Sequence, residues 1–173
     1  MTTTWNIDAS HSTIGFSIRH MIFSKVRGRF LKHTGAIQLA DDATQSWVEL
    51  AVDAASIDTG TAQRDTHLRS ADFFDAEKFP ELSFDSTNVE KLGDKYRVKG
   101  DLTIRGVQKP VTLEAEYLGG GKDPWGNQRI GFSANLSINR KDFGLNWNQL
   151  LEAGGVLVGE TIEIALDVQA VKA

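Results

Sequence analysis

The sequence predicts an all-β fold: an extended antiparallel up-and-down β-barrel of about eight strands, with one short helical insertion. Three observations lead there. Apolar and polar residues alternate with period two through most of the chain, the pattern of strands with one buried face. Turn signals separate these runs at short intervals, so successive strands pair antiparallel; parallel pairing would need helical crossovers. One stretch alone, residues 57–80, breaks the alternation with helical spacing. One-sided alternation in every strand also suits a two-sheet sandwich, and the barrel is the preferred of the two.

The elements follow in order. Ile14, Phe16 and Ile18 oppose Thr13, Gly15 and Ser17 in the first clear strand. A strand is expected across Val26–Leu39, and in the next Val48, Leu50 and Val52 face away from Trp47, Glu49 and Asp53. Beyond the insertion a strand covers Leu82–Glu90. Val98, Leu102 and Ile104 then alternate with Lys99, Asp101, Thr103 and Arg105, and Val111, Leu113, Ala115 and Tyr117 with Thr112, Glu114 and Glu116. The cleanest run is Ile130, Phe132, Ala134, Leu136 and Ile138; Ile162, Ile164, Leu166 and Val168 repeat it near the C-terminus. Turns fall at Asp41-Asp42, Gly93-Asp94, Gly106 to Pro110 and Gly119 to Gly126. The last is read as a flexible hairpin tip, so the chain is taken as a single domain over 1–173. Short helical pieces are expected at His20–Phe23 and Trp147–Glu152.

In the insertion a helix is expected over Thr61 to Ser70, with Thr61 as its N-cap. Asp65 lies in the first turns and stands i,i+4 before Arg69, the favourable order for a pair. Ala62, Leu68 and Ala71 are expected to face inward, and Phe73, Phe74 and Phe79 to form an apolar underside. This reads as a lid over an interior. Small inward residues (Gly100, Ala115, Ala134) suggest room within.

Composition narrows the functions. The 173 residues carry a formal net charge of −4 and no cysteine, which excludes disulfides and thiol-based metal sites. No basic block or stripe is read, so nucleic acid is not an expected partner. The opening MTTTWNIDAS has neither a basic nor an apolar leader segment, so no transmembrane span is drawn and a cytoplasmic location is expected. His11, His20, His33 and His67 show no metal-ligand spacing, so no metal or other cofactor is expected. Asp65 and His67 are two apart and do not face each other on a helix. No nucleophile elbow, P-loop or Gly-x-Gly-x-x-Gly pattern is present. No catalytic residue is therefore assigned. Arg64, His67 and Arg69 on the insertion, and Arg140, are the candidates for contacting an acidic head group; a solvated face tied to the barrel rim is the competing reading. Strand parity puts Phe16, Ile18, Phe84, Leu102, Leu113, Phe132, Leu136, Ile164 and Leu166 on the inner wall.

At this point the chain resembles the YceI-like family of polyisoprenoid-binding, lipocalin-like barrels. The resemblance rests on Trp5-Asn6-Ile7-Asp8 with His11-Ser12, and on Val26-Arg27-Gly28-Arg29-Phe30. It rests most on Asp58-Thr59-Gly60, Arg64-Asp65, His67-Leu68-Arg69, Phe73-Phe74-Asp75 and Phe79-Pro80. Gly100 to Val107, Arg140 to Gly144 and Val158-Gly159-Glu160 complete it. It implies an elongated apolar pore that binds a long-chain isoprenoid, an isoprenoid-quinone-like lipid or a similar amphiphile, without catalysis. A homodimer is compatible with it. Many members are periplasmic, and the missing leader departs from that pattern. Two rival functions stay open: an enzyme using a lid His/Asp acid–base pair on a hydrophobic substrate, and a filled barrel serving as a protein-interaction module.

Overall fold

The structure, a computed structural model, describes residues 1–149, 151 and 157–173. Its strands are β1 (Thr2–Ile7), β2 (Thr13–His20), β3 (Ser24–Phe30), β4 (His33–Ala40), β5 (Trp47–Asp53), β6 (Ile57–Asp58), β7 (Glu81–Leu92), β8 (Lys95–Ile104), β9 (Val107–Lys122), β10 (Gln128–Asn139) and β11 (Val158–Lys172). A single α-helix is described, α1 (Ala62–Arg69). Every pairing is antiparallel, and β1 meets β11 to close the sheet.

The strand count resolves into an eight-strand barrel because two strands are kinked. β1 and β2 run in the same direction along β11, pairing with its end and its start in turn. Between them Ala9–His11 forms a 3-10 turn, with the Asp8 carboxylate accepting from the Ser10 N–H. β3 and β4 are likewise one bent strand, expected as the continuous run Val26–Leu39 but broken at Leu31-Lys32. There the Leu31 and Lys32 N–H groups leave the ladder and bond Ser56, on its carbonyl and hydroxyl respectively. The strip β6 attaches to β3 at Arg29 and Phe30. A barrel strand turns through its corner at such a kink without leaving its backbone unpaired.

Several local expectations change. His20–Phe23 is not helical: His20 ends β2, and Met21, Ile22 and Phe23 form the tip of the β2–β3 hairpin. Met21 and Ile22 both lie in the left-handed region, at φ 53° and 69°. For an L-residue this costs roughly 1–2 kcal/mol each, and a branched side chain fits it worst. The β8–β9 turn, a two-residue loop, also has two successive positive φ angles, but places glycine at one of them: Arg105 at φ 51° and Gly106 at φ 72°. β9 already begins at Val107, so the expected turn to Pro110 is too long. Pro110 is tolerated in a strand because β10 joins β9 only from Glu114 onward. Trp147 to Gln149 are irregular rather than helical, and the rest of the expected Trp147–Glu152 piece lies largely outside the described residues.

The helix forms where expected, but its polar contacts differ. Thr61 makes no side-chain cap, and Asp65 and Arg69 do not pair. Asp65 is 6 % exposed and accepts from the Thr59 N–H and hydroxyl. Arg64 donates to the Thr59 hydroxyl and carbonyl, both at 2.7 Å. Arg69 donates to the carbonyls of Ala55 and Ile57. The helix is thus pinned to the segment before it by side chain-to-backbone bonds. Leu68 packs on the core, whereas Ala62 and Ala71 are exposed. Phe73 and Phe74 are buried, Phe74 edge-on to Phe30 at 5.8 Å. Phe79 instead covers the β8–β9 turn, its ring against Gly106 where any Cβ would collide.

Candidate functional site: an apolar cavity under a cationic mouth

The inward rows do not fill the barrel. They enclose a cavity of about 640 Å³, within the range of ligand pockets. All nine residues expected on the inner wall border it: Phe16 and Ile18 of β2, Phe84 of β7, Leu102 of β8, Leu113 of β9, Phe132 and Leu136 of β10, and Ile164 and Leu166 of β11. On β7 the inward parity passes from Leu82 and Phe84 to Val89, because a bulge between Ser86 and Asn88 shifts the register. Ala115 and Ala134 contribute room, as expected. Gly100 does not: the place its side chain would take is occupied by the Phe84 ring, 2.5 Å from a built Cβ.

One end of the cavity lies under α1, the β2–β3 hairpin and the chain after β10. Its polar lining is Arg19, His20, Thr61, Gln63, Arg64, His67 and Arg140, and no Asp or Glu borders the cavity anywhere among the described residues. Arg140 is 1 % exposed. Asn139 caps the 3-10 turn Arg140–Phe143 that carries it, and Gly144 ends that turn at φ 77°. Its Nε donates to the Gly159 carbonyl at 2.7 Å, its Nη1 to Leu145 and Trp147, and its Nη2 to Val158. Burial pushes its pKa down, opposed by the Glu160 charge, but a guanidinium stays protonated. Among the described residues, therefore, a cation without a carboxylate partner stands in the cavity wall, with one Nη2 hydrogen uncommitted.

His67 pairs through Nε2 with the Asp72 carboxylate at 2.8 Å and packs edge-on against Trp147 and Phe73, at 4.8 and 5.1 Å. Trp147 is thereby the roof of this end, and Asn148 bonds both the N–H and carbonyl of Val158 beneath it. Of the four expected head-group contacts, Arg64, His67 and Arg140 border the cavity. Arg69 does not, its guanidinium being spent on the backbone of the preceding segment. Trp147, Arg19 and His20 escaped the sequence reading. His20 continues the parity of Ile14, Phe16 and Ile18 and was accessible to it; Trp147 sits in a stretch with no period. No three His, Cys, Asp or Glu side chains converge among the described residues.

A model of the YceI-like domain family matches residues 5–170. The chain belongs to the YceI-like family. Among curated relatives it is 47 % identical to the UPF0312 protein plu2095 of Photorhabdus laumondii over 139 residues, covering 80 % of this chain and 72 % of that protein. It is 42 % identical to protein YceI of Escherichia coli O157:H7, with 80 % and 73 % covered. A solved YceI protein of Campylobacter jejuni superposes with a TM-score of 0.74 at 32 % identity over 90 % of each chain. Two more distant structures share the YceI-like fold. One is BcnA of Burkholderia cenocepacia, with a TM-score of 0.83 at 24 % identity over 94 % of this chain and 98 % of that one. The other is a polyisoprenoid-binding domain from Saccharophagus degradans, with a TM-score of 0.71 at 16 % identity over 99 % of each.

Proposed function

We propose that this protein binds a long-chain isoprenoid or a related amphiphilic lipid in the barrel, as a non-enzymatic carrier, store or sequestering protein. The observation that carries this reading is an apolar cavity whose charged lining, among the described residues, is entirely cationic and confined to the lid end. The tail lies among Phe84, Leu102, Leu113, Phe132 and Leu136, where each buried CH₂ is worth about 0.8 kcal/mol. The polar end meets Arg64, His67 and Arg140. With no acidic group on the wall among the described residues, an anionic or oxygen-rich head is favoured and a cationic one is repelled. The Saccharophagus degradans domain, a polyisoprenoid-binding domain of the same fold, agrees with this.

Native mass spectrometry of freshly purified protein, followed by organic extraction, tests the reading. A discrete lipid adduct is expected. Ala134→Trp, which fills the cavity from β10, is expected to remove the adduct and prevent its reloading while the protein stays folded by circular dichroism. A bare mass with no uptake of added polyprenyl phosphates or quinones would overturn it.

The His67–Asp72 pair supports a second reading, an enzyme acting on a hydrophobic substrate with that imidazole as acid–base. Under it His67→Gln abolishes turnover and leaves lipid uptake intact; under the carrier reading there is no turnover to lose.

A further inference from the structure

The β2–β3 hairpin tip is built from residues that suit neither its backbone nor its exposure. Met21 and Ile22 hold left-handed φ angles that Asn and Gly adopt readily. Their side chains and that of Phe23 point outward, at 37 %, 58 % and 80 % exposed. The tip is nevertheless an ordered piece of the barrel. The Met21 N–H donates to the Leu157 carbonyl at 2.8 Å, the Ser24 hydroxyl to the His20 carbonyl, and the Phe23 N–H to the Met21 carbonyl. An apolar triplet is held out in water, in a conformation its residues resist, where Asn and Gly at its two left-handed positions would do the same structural work. That combination points to a use for the side chains.

Two further observations indicate which use. The tip stands at the cavity mouth, since His20 at its base and Leu157 beside it both border the cavity. It is also flanked by cations. Lys25, Arg27 and Arg29 alternate along the exposed face of β3, and Arg19 stands opposite Lys25 on β2. This short basic row does not read as a stripe in the sequence because single residues separate its members. Acidic groups nearby are few: Glu163 lies 3.7 Å from Lys25 and Asp58 4.0 Å from Arg29. The chain as a whole is anionic at −4, so this face differs in sign from the protein's average.

We infer that the β2–β3 tip docks the cavity mouth onto the surface of an anionic phospholipid bilayer. Met21, Ile22 and Phe23 enter the interfacial layer, and Arg19, Lys25, Arg27 and Arg29 meet the phosphates. The inference rests on the lipid-binding reading for its purpose, but its test does not depend on that reading.

Flotation with vesicles of phosphatidylglycerol and phosphatidylethanolamine is compared with flotation on pure phosphatidylcholine. Wild type is expected to float with the anionic vesicles, at least tenfold more weakly with the neutral ones, and to be released by high salt. The M21N/I22G/F23S variant supplies residues suited to the turn, so its thermal midpoint is expected to hold or rise. Its vesicle binding should fall at least tenfold. Uptake of a fluorescent fatty probe added without vesicles should match wild type, which separates loss of docking from failure of the cavity reading. K25E/R27E should also lose vesicle binding. Failure of wild type to float, or flotation of M21N/I22G/F23S at wild-type strength, would overturn the inference. So would sedimentation showing that the tip instead joins two copies, with wild type dimeric and the variant monomeric.

Discussion

Two arginines at opposite ends of the barrel are held in opposite ways. Arg129, on β10 at the end away from the lid, bonds the Asp8 carboxylate at 2.7 Å, that of Asp123 at 2.8 Å and the Gln169 side chain at 2.9 Å. Its charge is cancelled twice over, and it staples the β1–β2 kink to the β9–β10 hairpin and β11. Arg140 at the mouth has four backbone carbonyls and, among the described residues, no carboxylate in contact. The same side chain is thus a neutralised brace at one end and a clamp with surplus charge at the other. Only the second can impose a field on whatever occupies the cavity.

Removing the clamp is expected to have the largest effect. Arg140→Met takes the guanidinium donor from the Leu145, Trp147 and Gly159 carbonyls, while Asn148 still serves that of Val158, and should cost on the order of 3–5 kcal/mol in urea unfolding. A wild-type midpoint would show that the mouth is held by something else. The deficit should vary only weakly between pH 7 and 3, because Arg140 bonds no carboxylate among the described residues and Glu160, whose charge it feels, is paired chiefly with Lys141.

The brace should behave differently. Ser10, then Arg129 and His11, hold the Asp8 carboxyl well below its usual range, and Arg129 above all lowers that of Asp123 to about 2. Both groups bind protons more weakly folded than unfolded. Their stabilisation is complete above the unfolded carboxylate pKa, near 4, and is lost as pH falls through the folded values. Arg129→Met should therefore destabilise at pH 7 and progressively less toward pH 2. A deficit independent of pH would dissolve the contrast with Arg140.

A smaller acid sensitivity belongs to neither arginine. His33 is 6 % exposed with its Nδ1 unpartnered among the described residues, and burial pushes its pKa down. The unfolded chain takes up a proton near pH 6.5 that the folded one resists, so stability declines as pH falls below about 6.5. His33→Gln should flatten the pH 6.5–5 slope of the urea midpoint. The smallest effect serves as the reference. Arg97 and Glu114 pair across β8 and β9 at 3.2 Å on an open face, and Glu114→Gln should change stability by no more than about 0.5 kcal/mol.

The barrel and its inner wall were legible because period two is a local signal and each strand keeps it. Where a bulge flips the parity, as on β7, the rows on either side still read correctly. The kinks at Asp8–Ser12 and Leu31-Lys32 were not legible, since the backbone donors there are satisfied by residues far along the chain or by a 3-10 turn. The lid charges were found as residues but misread as partners: Asp65 and Arg69 satisfy the helical spacing, yet Asp65 bonds the Thr59 N–H and hydroxyl and Arg69 the Ala55 and Ile57 carbonyls instead. Arg140 was visible only as one basic residue after a strand. What makes it distinctive, its burial against four carbonyls, is brought together by β11 and the chain before it.

The seam of the ring has a consequence for how the chain comes to fold. β11 joins β10 on one side and the bent β1–β2 strand on the other, with Lys172 set against Trp5. During synthesis the first strands must wait for the last, because ring closure spans almost the whole chain and its entropic cost precedes any reward. Until β11 arrives, β10 and β1–β2 both expose unpaired edges. The interval between making residue 5 and residue 172 is therefore when this protein is most exposed to a wrong strand partner, whether from a neighbouring nascent chain or from another copy of itself.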